Sequence, residues 1–588
     1  IQQWCSKHQL LSGGHLLMEE NLVQHVPLYG DFFRCLRRLD APSIDCLTSI
    51  PDQVPWFIAR LASSAAELEN RTVTMCETSD HSQRYRPAGD QRPPRTVTED
   101  EIRGTCNRLI VNGIDTITSY YSFEGLSDGQ LRSLNQWVGR CCSSLTGGHQ
   151  VADIAVLYPI ESVWPRFTPA RHLANDSPEA AQIESIFHDA SASLYAGGRD
   201  FTYLDARTLA EAKVENGVLV HGKLRWRIVI LPGADTLPQA AWENLSRFVQ
   251  SGGVLITLGT LPFNSETEFP SARVQALAQE IFGSATAQPQ VLANKNGGAG
   301  VFLPVGSVSL LPTLLNGILE PDVKVETLRS PIRYTHRRIQ DKEVYFIIND
   351  GPKPWEGRIN LSVAGPGEQC DPATGKILPV PHGNGIGAQL PAYGGAIFRF
   401  AKARSPKRLK INNGIVPNLV LRNLPQVSPL VARGEFVREH LAPTEPERYA
   451  GRGMWQISAT LTKGQTDTFL FLRFPYLQPL QLQDAESLVF DTWVPDNQNT
   501  PAQLLVILHE KDGADYLASS GRMLGAPGHH QTFLPLSRFQ LAGWSNDSNG
   551  QLDLANISEI RVGWGGYYGK EGEKIQFTVS SPQTAAAR

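Results

Sequence analysis

Apolar residues alternate between two styles over the first 140 or so positions. Short apolar or β-branched runs at Leu10–Leu17, Ser43–Thr48, Thr72–Cys76 and Ile114–Tyr121 predict strands. Between them, apolar residues recur three and four apart. Leu28–Leu39 puts Phe32, Phe33, Leu36 and Leu39 on one helical face, and Val54–Leu68 does the same with Phe57, Ile58, Leu61 and Leu68. Thr98 with Glu101, and Ser127 with Gln130, have capping-box spacing and predict helices running through Val111 and Trp137. Strand alternating with helix implies parallel βα units. Four units are visible where a closed (β/α) barrel has eight. A partial barrel is therefore expected, its other wall lying upstream or coming from another subunit.

The pattern then changes. Asp153–Tyr158, Phe201–Leu204, Trp226–Leu231 and Gly253–Leu258 are continuous apolar runs, separated by helical stretches at Pro178–Tyr195 and Pro238–Ser251. Such runs predict a parallel sheet buried on both faces, of flavodoxin-like type. Its first loop, Pro159–Pro165, is bulky and lacks a Gly-rich fingerprint, so a structural or oligomerisation role is expected over nucleotide binding. Short strands follow at Val344–Ile348, Gly357–Val363 and Ala396–Phe400, with a turn at Asp371–Gly375, and predict a small β-sandwich. A basic linker, Lys402–Lys410, leads to alternating strands such as Thr468–Phe474 and Leu504–Leu508. The expected organisation is α/β followed by all-β. Residues 1–148 form the partial (β/α) barrel and 149–288 the flavodoxin-like domain. Residues 289–402 form the small sandwich and 411–588 a jelly roll. In the last unit Trp564, Tyr567 and Tyr568 are read as core, with stacking on sugar rings as the sharper alternative.

Bulk properties narrow the classes. At 588 residues and 64.7 kDa the chain is too long for one core. A net charge of −4 and a pI near 6.4 give no reason to expect a nucleic-acid partner. No apolar run approaches the roughly 20 residues that span a bilayer, so no membrane role is expected. The chain opens at Ile1 without an initiator Met, as a processed or truncated chain would. Seven of eight cysteines fall before position 143 with no CxxC spacing, which favours buried thiols over disulfides or metal ligands. A bacterial cytoplasmic or periplasmic setting is expected.

Candidate chemistry rests on carboxylates. Arg71–Glu77 runs as a strand into Glu77, and Leu10–Glu20 ends on Glu19 and Glu20. Barrel enzymes carry their catalytic groups at the carboxyl ends of strands. Two carboxylates there are the minimum for cleaving a glycosidic bond. Along a persisting strand Gly13, His15, Leu17 and Glu19 share one face, so Glu19 is taken as the acid and His15 as a hydroxyl ligand. A plainer reading has Glu19 and Glu20 capping the next helix. Glu77 is then the nucleophile or the base. Asp45, Asp80, His81, Tyr120 and Tyr121 stand at or beyond strand ends as further hydroxyl ligands. No metal or cofactor is called for.

The domain order resembles the barrel glycosidases that carry a trimerisation-type domain, as in certain bacterial beta-galactosidases. The segments GGHLLMEENL (Gly13–Leu22), IDCLTS (Ile44–Ser49), VTMCETS (Val73–Ser79) and ADIAVLYPIESVWPRF (Ala152–Phe167) also resemble large bacterial hydrolases related to the alpha-L-rhamnosidases. So does the pairing of RYTHRRIQDKEVYFIIND (Arg333–Asp350) with CDPATGKILPV (Cys370–Val380). The terminal unit resembles galactose-binding-like jelly rolls. The resemblance implies an exo-acting glycosidase on an oligo- or polysaccharide, a beta-galactoside first and an alpha-L-rhamnoside second. In such families the acid follows the fourth strand, three before the nucleophile, whereas here the Glu19 segment lies two strands before Glu77. The rival class is a non-catalytic carbohydrate-binding scaffold with a degenerate barrel. Uncovered strand edges and the trimerisation-type domain imply a homo-oligomer.

Overall fold

The computed structural model describes the chain except residues 85–94, 122, 169–176, 285–287, 326–329, 405, 408–410, 412–418, 445–451, 548–551 and 588. Part of the basic linker expected over Lys402–Lys410 lies outside the described residues. Four short strands, β1 (Gly13–Gly14), β2 (Ala41–Cys46), β3 (Met75–Ser79) and β4 (Thr116–Tyr120), pair in parallel and in chain order. Gly13 lies opposite Ala41, Asp45 opposite Glu77, and Ser79 opposite Tyr120.

Several elements differ from the sequence reading. The first strand lasts only two residues, so Glu19 and Glu20 sit in a turn and not on a strand. Met18 there takes φ +56°, a left-handed conformation that stops the extended chain. β3 begins and ends later than expected, which leaves Glu77 at its centre. The helix expected over Leu28–Leu39 is two helices, Leu22–Tyr29 and Phe32–Leu36, broken at Gly30 with φ +78° and restarted by Asp31, whose carboxylate accepts from Arg34 N. Both capping boxes form, and the helices are Glu99–Val111 and Asp128–Leu145, the second two turns longer than expected.

Helix Trp56–Leu68 is buried nearly all round because sheets lie on two sides of it. One core joins Phe32, Ile44, Ile58 and Leu61 to Ile154, Tyr158, Phe187 and Leu204 of the following α/β unit. Each such side chain contributes about 1.5–3 kcal/mol on burial. Arg60, on the same helix, is 3% exposed and pairs with Asp200 while bonding Asn112 and the Phe201 carbonyl. Helices Glu99–Val111 and Asp128–Leu145 turn elsewhere. Their Ile102, Cys106, Trp137 and Cys141 pack on Val344, Phe346 and Ile397 of an antiparallel sheet.

The second unit holds β5 (Ile154–Leu157), β6 (Thr202–Leu204), β7 (Ile228–Pro232), β8 (Val254–Gly259), β9 (Gln290–Ala293) and β10 (Ala299–Pro304), in the spatial order β9-β10-β8-β7-β5-β6. All pairs are parallel except β9 with β10. Further on, strands between 332 and 400 make one antiparallel sheet that takes His149–Gln150 as an edge, with a three-stranded sheet facing it. Beyond 419, a seven-stranded and a six-stranded sheet enclose Ile457, Leu472, Phe490, Val506, Trp564 and Phe577. Trp564 is wholly buried, which excludes it as a sugar platform, whereas Tyr568 is exposed. All eight cysteines are free thiols. Among the described residues, no helix is long and apolar enough to cross a membrane.

Candidate active site

Four of the sequence-predicted residues, His15, Glu19, Asp45 and Glu77, come together around β2 and β3. Asp45 and Glu77 are direct neighbours across β2 and β3, on the face of the sheet turned away from the core. His15, one residue past β1, brings Nε2 to 3.8 Å from Glu77 Oε2, both side chains being about one-third exposed. Its Nδ1 lies 2.8 Å from the Leu16 carbonyl and must carry a proton to bond it. The neutral ring therefore turns a lone pair toward Glu77, and only the doubly protonated ring donates.

Glu19 enters from the turn. It is 3% exposed, with Oε1 accepting from Leu16 N at 2.6 Å and Oε2 from Asp45 N at 3.3 Å. Burial pushes its pKa up to about 7; the two amides and His15 work against the shift and Glu20 adds to it. The Glu19 carbonyl accepts from His25 Nε2 at 2.8 Å, and His25 Nδ1 meets the Tyr158 hydroxyl at 2.8 Å. Burial lowers the His25 pKa to about 4, so the ring is neutral, donating from Nε2 and accepting at Nδ1. That relay fixes the Glu19 turn to the second unit.

Asp45 has its pKa raised by burial and by Glu77 and Glu20, against His15 and His81. Its Oδ1 is buried with no hydrogen-bond partner. A half-buried carboxylate with one idle oxygen, set between two others, is an acceptor for a ligand hydroxyl. His81 and Tyr120 sit at the rim: His81 opens a short helix after β3, and Tyr120 ends β4 beside Ser79 and is 62% exposed. Asp80 pairs with Arg84 at 2.9 Å. Tyr121 is half-buried and packs against the core of the two helices, and burial of its hydroxyl pushes its pKa well up.

The expectation that His15 and Glu19 share a strand face is corrected. They meet because the turn folds Glu19 back under β2, and this also separates buried Glu19 from exposed Glu20. Sequence reasoning missed His25 and Tyr29. Tyr29 has a buried hydroxyl without a partner, and its pKa is raised by burial and by Glu19. The only sign of either was their place on the first helix after the acids. The exposed face of β4 is Thr116, Thr118 and Tyr120, so this sheet edge is largely polar and not apolar as expected. Among the described residues, the one trio of acids close enough to hold a metal ion is Glu510, Asp512 and Asp547, in the last sandwich and apart from this site.

A family model described as alpha-L-rhamnosidase, glycoside hydrolase family 106, matches residues 127–383. That stretch starts beyond β4 and contains none of Glu19, Asp45 or Glu77. No curated protein matches the chain. Among solved structures, a rhamnosidase from Novosphingobium sp. PP1Y aligns with TM-score 0.48 and 14% identity, over 98% of this chain and 54% of that one. The beta-galactosidase Gan42B of glycoside hydrolase family 42 from G. stearothermophilus aligns with TM-score 0.44 and 13% identity, over 64% of this chain and 61% of that one. A family 11 carbohydrate-binding module from Clostridium thermocellum covers 28% of this chain and 90% of its own, at TM-score 0.22 and 14% identity. The chain thus spans about half the length of the rhamnosidase. Its resemblance is to multidomain glycoside hydrolases.

Proposed function

We propose that this chain is part of a glycoside hydrolase that removes a terminal sugar, an alpha-L-rhamnoside foremost, using Glu19 as acid and Glu77 as base or nucleophile. The observation that carries the reading is Glu19: a buried carboxyl with a pKa near 7 that accepts from Asp45 N, where Asp45 is the cross-strand neighbour of Glu77. An acid protonated near neutrality is what an oxygen leaving group needs. The longer contact, Oε2 to Asp45 N, leaves that oxygen as the one to carry the proton. Glu77, about one-third exposed with His15 beside it, is open to a substrate, and its separation from Glu19 with substrate bound decides between inversion and retention. Asp45 Oδ1 accepts a sugar hydroxyl, with His15, His81 and Tyr120 around it. The sugar is supported by the family match over 127–383.

In the same reading β1–β4 are half of a (β/α) barrel. The order of β5 to β10 is flavodoxin-like and the last two sheets form a jelly roll, with the second unit running past the expected boundary at 288 to take in β9 and β10. The assembly is a homo-oligomer, in which a second copy lies beside the open face of β1–β4. The test is hydrolysis of aryl alpha-L-rhamnoside against aryl beta-galactoside, with light scattering on the same sample. Turnover of the rhamnoside by an oligomer is expected. Turnover of the galactoside alone would transfer the reading to a galactosidase. Sugar binding with no turnover of either would leave a scaffold.

A further inference from the structure

A cavity of about 320 Å³ lies far along the chain from the carboxylates, at the amino ends of β5 and β7 where Asp153 and Arg227 stand, against the sheet that carries Tyr334 and His336. Four carboxylates line it, and each is already matched. Asp153 pairs with Arg227 at 3.2 Å, Asp200 with Arg60, Glu320 with Arg404 at 3.1 Å, and Asp322 with His336 at 2.8 Å. His336 is itself held charged: burial works against it, but Asp322 and Glu343 raise its pKa to about 9. Glu343 also takes Arg338, at 2.6 Å, so these four groups balance two against two.

Two cations on the same wall have no such match. Arg199 is 5% exposed, and its partners among the described residues are neutral: Asn316 Oδ1 at 2.7 Å and the Leu319 carbonyl at 2.8 Å. Its Nε has none. Burial lowers its pKa, opposed by Tyr334, Asp153 and Asp322 from a distance. Lys223, at the exposed tip between strands Val218–His221 and Leu224–Trp226, makes no ion pair or hydrogen bond among the described residues. The hydroxyl of Ser362, on the same wall, is buried and idle. A buried guanidinium without a counterion is costly. Here the missing counterion has a cavity to occupy.

We propose that this cavity binds an anionic small molecule of monosaccharide size, a sugar acid or sugar phosphate, whose acidic group is held by Arg199 and Lys223. The size follows from the volume, which lies at the small end for organic ligands and exceeds the needs of a bare oxyanion. Ser362 and the polar pairs around it are the partners for hydroxyl groups. The inference is independent of the glycosidase reading, since none of these residues belongs to that site.

The test is thermal shift and calorimetric titration of the full chain with glucuronate, glucose 6-phosphate, inorganic phosphate and glucose. Binding of either sugar anion, weakened by salt, with none for glucose, is expected. Lys223→Ala, a surface change that spares the fold, should weaken it by about tenfold or more, as should Arg199→Gln. Equal binding of glucose would overturn the proposal, as would anion binding that survives both substitutions or no binding of any probe. Inorganic phosphate as the only ligand would overturn the sugar-sized occupant.

Discussion

At the scale of single residues, the proposed site separates a buried acid from a half-exposed one. Glu77→Gln keeps the shape and removes the negative charge, so turnover of the aryl glycoside should fall by more than about 10²-fold with the melting temperature nearly unchanged. A smaller loss would remove Glu77 from the chemistry. Glu19 makes a different prediction, about stability. Its folded pKa, near 7, stands above the ordinary 4.5, so the native state holds this proton more tightly than the unfolded chain. The stabilisation is complete below about pH 4.5 and is lost as pH rises through 7, by roughly 3 kcal/mol. His25 slopes the other way: its depressed pKa costs stability as pH falls from 6.5 toward 4. The difference between wild type and Glu19→Gln in urea melts isolates Glu19. The wild type should lose ground to the variant between pH 4.5 and 7, and a flat difference would show that Glu19 titrates normally. The sequence reading places both acids at strand ends, whereas Glu19 stands in a turn and Glu77 in the middle of β3. The burial of Glu19 was not legible in the sequence, since it depends on a left-handed Met18 and on amides from Leu16 and Asp45.

Among the elements, those whose signal is local matched the reading. Thr98 with Glu101 and Ser127 with Gln130 form the reciprocal bonds their spacing implies, because a cap needs only four residues in sequence. Ser127→Ala should cost about 1 kcal/mol and lower the urea midpoint, with Thr98→Ala similar, and no change in either would mean that the caps are frayed. Elements failed where distant packing decided them. The apolar run Leu10–Leu17 predicts a strand, yet β2 offers it pairing only at Gly13 and Gly14. Leu28–Leu39 has one helical face, but the chain breaks at Gly30, and His25 and Phe32 then both reach Tyr158. Nothing in the local periodicity announces a partner about 130 residues away.

For the whole molecule, the cores cross the expected unit boundaries. The β1–β4 unit shares its core with the second unit, and two of its helices are sealed by the third. The last sandwich is attached at a narrower seam, where segment Val305–Leu310 meets strand Gly528–Pro535. Ser309 Oγ donates there to the Phe533 carbonyl, and Arg538 pairs with Asp189 at 3.1 Å. Gly306 makes the approach feasible, because a Cβ on it would lie 2.2 Å from the Gln531 carbonyl oxygen and 2.8 Å from Thr532 Cα. Both atoms are backbone within a paired strand, so they have little freedom to withdraw. Gly306→Ala should therefore loosen the seam while leaving both flanking cores whole. The expected result in calorimetry is a sandwich transition that separates from the main one and moves down in temperature. Limited proteolysis should meanwhile cut sooner between 401 and 418. The sandwich has its own enclosed core and should keep its strand content in the variant. A single unchanged transition would show that the seam carries little of the coupling, and that the sandwich is held by other contacts.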